Sequence, residues 1–556
     1  MKKIISLLIA ALLLISSGIA ASAASIPSKY SAVDKGLVTP VKTQGNYGSC
    51  AAFAAVSCME SDYIKQGYGT KDNTDFSEAY LFWYAVNSIW NDEKSGYYGD
   101  GVPVANNVYM QGASDIDLFS ALKTDSGIAW EYDFPYSPYD ASRMGDYTDS
   151  QRFASGCNVR IKDIVELDVS DRDDVKSWIL KHGSAAVSFN GTRFYEGSNG
   201  TVARNNLALI NNHEATIVGW DDDFIAQGLF SSFVMKEKGA WLVKNSWGEE
   251  WGDNGYFWLP YSDPTVSTIM GFTVSVNNEC AVKYSYNGYA AYFYGKEVPV
   301  KGANLFTAEQ SGVISKVAFY VYEDTDITVG VYSDNGDGIP DTGKRLTGFK
   351  GHYDDEGYYT VSLSSPAKIS KGQKFYVVGE YSNNCPLENS AFTSAAPEQS
   401  FTFIDGEWND TSEDRIANNV ALDAVITGKH SFGPVQHKDA DCNTAGYDMR
   451  VCEHCGKVER TVIRPQGHIY GEWKQAGAGR RADVTVWERT CSVCGEREVQ
   501  YRTGNGKVIS LFEAEELIKE SDVFAGFLDN AVAFFYTFRN LINDIFRTGF
   551  FRLLTF

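Results

Sequence analysis

The spacing of apolar positions changes character along the 556-residue chain. Between 51 and 64, Phe53, Val56, Met59 and Ile64 recur near one face of a helical repeat. Residues 76–89 and 173–182 carry two further helical patterns, the second closed by Gly183. Strand-like runs follow at 185–189, 215–219, 240–244 and 256–259. Helices first and strands afterwards predict an α+β unit of two lobes over 24–273. From 274 to 429 the texture becomes short alternating runs, among them 317–322, 327–332, 358–363 and 375–380, set between Gly, Asp, Asn and Ser turns. That spacing predicts an all-β sandwich.

Beyond it, residues 430–505 contain an internal repeat. HSFG at 430 returns as HIYG at 468, and CEHCG at 452 returns as CSVCG at 491. The last stretch, 506–556, reads as an amphipathic helix with a Phe-rich stripe that includes Phe527, Phe534, Phe535, Phe538 and Phe546. Its polar interruptions argue against a spanning helix, and the stripe predicts self-association or contact with a membrane surface. At the other end, MKKIISLLIAALLLISSGIAASA has the basic start, apolar middle and small-residue close of a signal peptide over 1–23, so the mature chain is expected to be secreted or associated with the cell surface.

Composition narrows this picture. A hydrophobic content of 44% supports packed domains, and a net charge of −22 without a Lys/Arg-rich run excludes nucleic-acid binding through a basic surface. Half of the ten cysteines lie in the repeats. With Cys50 set aside, Cys58, Cys157, Cys280 and Cys385 allow three disulfide pairings, or none.

The candidate chemistry begins at GNYGSCAAFA, where Cys50 opens a helix. Unpaired N–H groups and the positive end of the helix dipole favour a thiolate at that position. A thiol nucleophile needs a base, a group that orients the base and donors for an oxyanion. His213, opening the strand-like run HEATIVGW, supplies the base, whereas His182 beside Lys181 reads as a helix-end cap. Asn245 in KNSWGEEWGDNGYFWL can accept the imidazole N–H, with Trp247 placed to shield that bond, and Gln44 can join the Cys50 N–H as an oxyanion donor.

In this order and spacing, Gln44, Cys50, His213 and Asn245-Ser-Trp-Gly are similar to the papain family of cysteine peptidases, across roughly 230 residues. The resemblance implies Cys50 as nucleophile, His213 as base, Asn245 as orienter and Gln44 as oxyanion donor, acting on peptide or protein substrates without a cofactor. It also implies Gly112 as a candidate substrate-binding residue, although the family's glycine pair stands here as Gly112-Ala113. Ala51 replaces the usual Trp, Tyr47 replaces a usual cysteine, and the short stretch before Gln44 leaves no room for a long inhibitory prodomain. The segment GIAWEYDFPY looks like the family's inter-lobe stretch.

The β region resembles the lectin-like domain that follows the peptidase in a bacterial and archaeal branch, which implies cell-surface glycans as partners by analogy of shape. SDNGDG at 333–338 is read as a hairpin turn rather than a calcium site, because Ser333 and Lys344 stand where acidic ligands belong. In the repeats, Cys442, Cys452, Cys455 and His430 are candidate zinc ligands of the first copy. Cys491, Cys494 and His468 offer three in the second, where Arg481 replaces the equivalent of Cys442. The competing functional class is a non-catalytic surface adhesin built on a peptidase-like fold.

Overall fold

The computed structural model describes residues 25–86, 112–113, 118, 121–123, 128–141, 144, 157–205, 210–226, 237–286, 299–388, 395–413, 419–442, 446–463, 467–478 and 484–509. The expected signal peptide and the helical tail beyond 509 lie outside them, as do residues 87–89 of the second expected helix.

Among the described residues, three helices stand in the first lobe-forming region: α1 (Cys50–Lys65), α2 (Glu78–Val86) and α3 (Arg172–His182). The one-sided apolar pattern expected of α1 is not what the fold uses. Thirteen of its 16 residues are buried, including Ser57, Glu60, Ser61 and Asp62, because elements cover it all round. Each buried acid is therefore paired. Glu60 accepts from Thr39 Oγ1 at 2.5 Å, Lys42 Nζ at 3.3 Å and the Phe76 N–H at 2.9 Å. Asp62 accepts from the Val274 N–H at 2.8 Å and lies 2.8 Å from Nδ1 of His182. His182 thus ends α3 as expected, but its ring stacks near Trp178 and pairs with α1 rather than acting as a solvent-exposed cap. Asp171 caps the start of α3 through the Asp173 and Asp174 N–H groups, and Gly183, at φ 101°, closes it.

The strands of this region are β1 (Lys29–Ser31), β2 (Val159–Leu167), β3 (Ala185–Phe189), β4 (Phe194–Gly197), β5 (Gly200–Ala203), β6 (His213–Asp221), β7 (Ala240–Lys244), β8 (Tyr256–Pro260) and β9 (Thr268–Val276). They run in the order β2-β9-β3-β6-β7-β8-β5-β4, with β1 added beside β6. β6 is buried along nearly its whole length, since α1 covers one face and the apolar cluster of Val187, Phe189, Trp241 and Phe257 the other.

The all-β region consists of β10 (Cys280–Tyr284), β11 (Lys301–Thr307), β12 (Gly312–Val321), β13 (Thr325–Ser333), β14 (Arg345–Tyr353), β15 (Gly357–Ile369), β16 (Lys374–Tyr381), β17 (Ser400–Ile404), β18 (Glu407–Asp410) and β19 (Leu422–Gly428). Six of these form the sheet β14-β13-β16-β11-β17-β18, and the order β10-β19-β12-β15 faces it across a core of Val317, Phe319, Val329, Phe375 and Leu422. The sandwich is not a separate bead. Gly357, Tyr358 and Tyr359 of β15 pair with Val165, Ile164 and Asp163 of β2, so one 13-stranded sheet runs through both regions. In the turn after β13, Asp337 Oδ2 accepts from Asn335 and Thr342, and Asp341 is held by Lys301 and Trp408.

The chain divides into two compact units, the second holding the repeats from Ser431 onward together with 139–143. Its strands are β20 (Gln436–Lys438), β21 (Gly446–Val451) and β22 (Val458–Ile463), then β23 (Lys474–Ala478), β24 (Val484–Thr490), β25 (Arg497–Thr503) and β26 (Val508–Ile509). The internal repeat is visible in the backbone. Phe432 bridges Cys452 as Tyr470 bridges Cys491, and Gly456 N–H donates to the Cys452 carbonyl as Gly495 N–H does to that of Cys491, both at 3.0 Å.

Candidate active site

Cys50 is the first residue of α1 and is partly exposed, whereas Cys58, two turns further on, is buried. Ser49 precedes it without capping the helix through its side chain, because Ser49 Oγ is 2.6 Å from the Tyr136 hydroxyl. The N–H groups at the helix start are therefore left facing the thiol.

His213 opens β6, opposite Phe189 on β3. Its Nε2 lies 2.8 Å from Asn245 Oδ1. A carbonyl oxygen only accepts, so Nε2 carries the proton and Nδ1 is left as the basic nitrogen. Trp247 lies over the ring with centroids 4.6 Å apart, and Trp251 and Phe194 pack behind it. The bond is thereby shielded from water, as the sequence order predicts. Asn245 itself follows β7, and its N–H donates to the Gly255 carbonyl at 2.9 Å. Gly255 has φ 85°, and a Cβ there would meet Val41 at 2.5 Å, which accounts for a glycine at this turn.

Gln44 is held from two sides. Its Oε1 accepts from Ser246 Oγ at 2.7 Å, and its Nε2 donates to the Tyr47 carbonyl at 2.7 Å, leaving one N–H of the amide for another acceptor. Its backbone N–H donates to Ser246 O at 2.8 Å, and the Tyr136 hydroxyl donates to its carbonyl at 2.9 Å. Ser246 and Tyr136 are residues that motif reading passed over, although Ser246 stands inside KNSWG and Tyr136 ends GIAWEYDFPY. Gly191 was also missed. A Cβ on it would lie 2.7 Å from His213 Cβ and 3.0 Å from Cδ2, so the loop passes the ring only as glycine.

Burial acts on both titratable groups of the site. Burial pushes the Cys50 thiol up to about 11, and the Glu214 carboxylate adds to this, outweighing backbone hydrogen bonds at Glu214, Ala51 and Cys50 that pull it down. Burial also draws His213 down to about 4, against the upward pull of its bond to Asn245. Burial thus works against the charged form of both groups and opposes the pull of the helix start on the thiol. Such a pair can attack a carbonyl as the sulfur's proton passes to the ring.

Residues 26–276 match the family described as papain family cysteine protease. This segment is a papain-family peptidase domain. A lectin like domain follows, matched over residues 283–426. "Probable cysteine protease RD19B" of Arabidopsis thaliana is 29% identical over 255 residues, 45% of this chain and 64% of that protein. "Cysteine proteinase 15A" of Pisum sativum is 28% identical over 238 residues, 42% of this chain and 57% of that one. The chain thus spans less than two thirds of the length of these relatives. Among solved structures, the clostridial cysteine protease Cwp84 after propeptide cleavage superposes with a TM-score of 0.60 at 24% identity, covering 72% of this chain and 100% of that one. The cysteine protease and lectin-like domains of Cwp84, a surface layer associated protein of Clostridium difficile, give 0.59 at 24% identity, with 72% and 89% covered. These neighbours share the fold, a papain-family peptidase domain joined to a lectin-like sandwich.

Gly112 is exposed, and a Cβ on it would meet no atom of the described residues within 4 Å. The ten cysteines form no disulfide. In the repeats, the structure regroups the candidate ligands. Cys442, expected with Cys452 and Cys455, stands instead with His468, Cys491 and Cys494, because the two copies fold against each other within one unit. Cys452 and Cys455 occupy the matching turn of the first copy, and His430 Nε2 lies 3.2 Å from the Asn278 carbonyl oxygen. No helix among the described residues is long and apolar enough to cross a membrane.

Proposed function

We propose that this protein is an exported, cell-surface-associated cysteine endopeptidase in which Cys50 attacks the peptide carbonyl. The observation that carries the reading is the buried 2.8 Å contact between His213 Nε2 and Asn245 Oδ1, on the strand ends beside the helix that opens at Cys50. It fixes the tautomer in which Nδ1 can take a proton. As Sγ attacks, its proton passes to Nδ1, and the carbonyl oxygen gains charge opposite the Cys50 N–H and the remaining N–H of the Gln44 amide. The imidazolium then protonates the leaving amine, and water activated by the same ring releases the acyl group from sulfur. Gly112 is read as a substrate contact. Catalysis uses no cofactor, and any zinc held by the repeats is structural. The surface-layer association stated for Cwp84 and the lectin-like domain support action at a cell surface, with glycans as candidate ligands of the sandwich.

The test is labelling. A peptidyl epoxide should modify the purified chain once, at Cys50, and Cys50→Ala should abolish both labelling and cleavage of an unfolded protein substrate. Full cleavage by Cys50→Ala refutes the assignment. Glycan or matrix binding by a chain that neither labels nor cleaves supports the adhesin reading.

A further inference from the structure

We infer that Cys442, His468, Cys491 and Cys494 form a four-coordinate zinc site that staples the two C-terminal repeats together. Cys442 of the first repeat closes a site whose other three ligands belong to the second. The inference is independent of the peptidase reading.

The four ligand atoms all lie within 4.8 Å of one another. Cys442 Sγ and Cys491 Sγ are 3.8 Å apart, far beyond the about 2.0 Å of a disulfide. Two sulfurs at tetrahedral corners around zinc, each about 2.3 Å from the metal, sit about 3.8 Å from each other. Cys494 Sγ is 3.4 Å from His468 Nδ1, and the same geometry places a thiolate and an imidazole nitrogen about 3.5 Å apart. Both pairs thus have the separations of neighbouring ligands on one metal.

The surroundings fit as well. His468 Nε2 faces Glu496 Oε2 at 3.4 Å, the carboxylate–imidazole relay that fixes the ring when the other nitrogen binds metal. The Cys491–Cys494 turn is a closed knuckle, with the Cys491 N–H on Glu496 O at 2.8 Å and Gly495 at φ 76°. Cys442 and Cys491 are buried and Cys494 is exposed, which leaves a side open for the metal to enter.

The second repeat also needs a staple. Its described apolar core is Val484, with Tyr501 packed against it, too little to hold a small module by burial alone. Position 481, where the first repeat's pattern would put a cysteine, is arginine, so the second copy cannot complete its own set. On binding, three thiols leave their protons to solvent and coordinate as thiolates.

Metal analysis of the full-length chain, reconstituted with zinc and desalted, tests this. Cys442→Ser should remove one zinc per chain, Cys494→Ser should remove the same one, and the double variant should lose no more than either. Additive losses would assign Cys442 to a different ion and overturn the proposal. Zinc content unchanged by Cys442→Ser, no zinc in the unaltered chain, or a Cys442–Cys491 disulfide in the mass spectrum would overturn it too. Glu496→Gln keeps all four ligands, so folding is not at risk through them. It should weaken zinc about 10–100-fold in a chelator competition, and undiminished affinity counts against the site as drawn.

Discussion

Replacing Gly191 by alanine probes the geometry on which the proposed chemistry depends. The added Cβ would sit 2.7 Å from His213 Cβ and 3.0 Å from Cγ and Cδ2. Carbon atoms rest at about 3.5–4.0 Å, so one partner has to retreat by close to 1 Å. The loop cannot do so freely. The Gly191 N–H donates to Asn212 Oδ1 at 2.9 Å, Asn190 Nδ2 donates to Ile210 O at 2.7 Å, and Asn205 Nδ2 holds the Asn190 carbonyl at 2.8 Å. The imidazole therefore gives way, and its 2.8 Å bond to Asn245 lengthens beyond the about 3.2 Å at which such bonds hold. A displacement of about 1 Å at a reacting group costs about 100-fold, or about 2.7 kcal/mol in the barrier. Steady-state cleavage of a fluorogenic peptide should show that loss mainly in kcat, with the thermal unfolding temperature lowered only modestly. A kcat within threefold of the unaltered enzyme, with fold and labelling intact, would refute the argument that this contact holds the ring.

Gln44→Ala should lower kcat about 100-fold by removing one oxyanion donor, and Ser246→Ala should reproduce part of that loss, because Ser246 Oγ holds Gln44 Oε1 at 2.7 Å. Equal, unchanged kcat in both variants removes the amide from the mechanism. With His213 drawn down to about 4 and Cys50 pushed up to about 11, the pair keeps its single transferable proton between those values. Below the lower one the ring gains a proton and can no longer accept one from sulfur. The acid limb of kcat/KM should therefore fall near 4, and a limb at the ordinary imidazole value near 6.5 contradicts the desolvated site. Gly112→Ala meets no described atom within 4 Å, so stability should not change, and a higher KM at constant kcat would come from the substrate. Unchanged KM excludes Gly112 from the substrate cleft.

The sequence by itself determined the parts of this protein whose chemistry is local. β3 and β7 appear at the residues that their apolar runs mark, and α3 carries its Gly183 stop in plain text. Cys50, His213, Asn245 and Gln44 could be picked out because a nucleophile, a base, an orienter and an oxyanion donor demand particular side chains, whatever surrounds them. Only the tertiary structure decided what covers each element. Periodicity reports which face of a segment is apolar, not whether a second layer buries the other face, so α1 read as amphipathic while Glu60 and Asp62 lie buried and paired. The β2–β15 pairing, which joins the peptidase domain to the sandwich, depends on two strand edges about 195 residues apart meeting in register, and no local pattern encodes that meeting. Ser246 on Gln44, Gly191 against His213 and Cys442 beside Cys491 follow the same rule. Each is a contact between segments distant in the chain, and each acquires its role only when the fold brings its partner within a few ångströms.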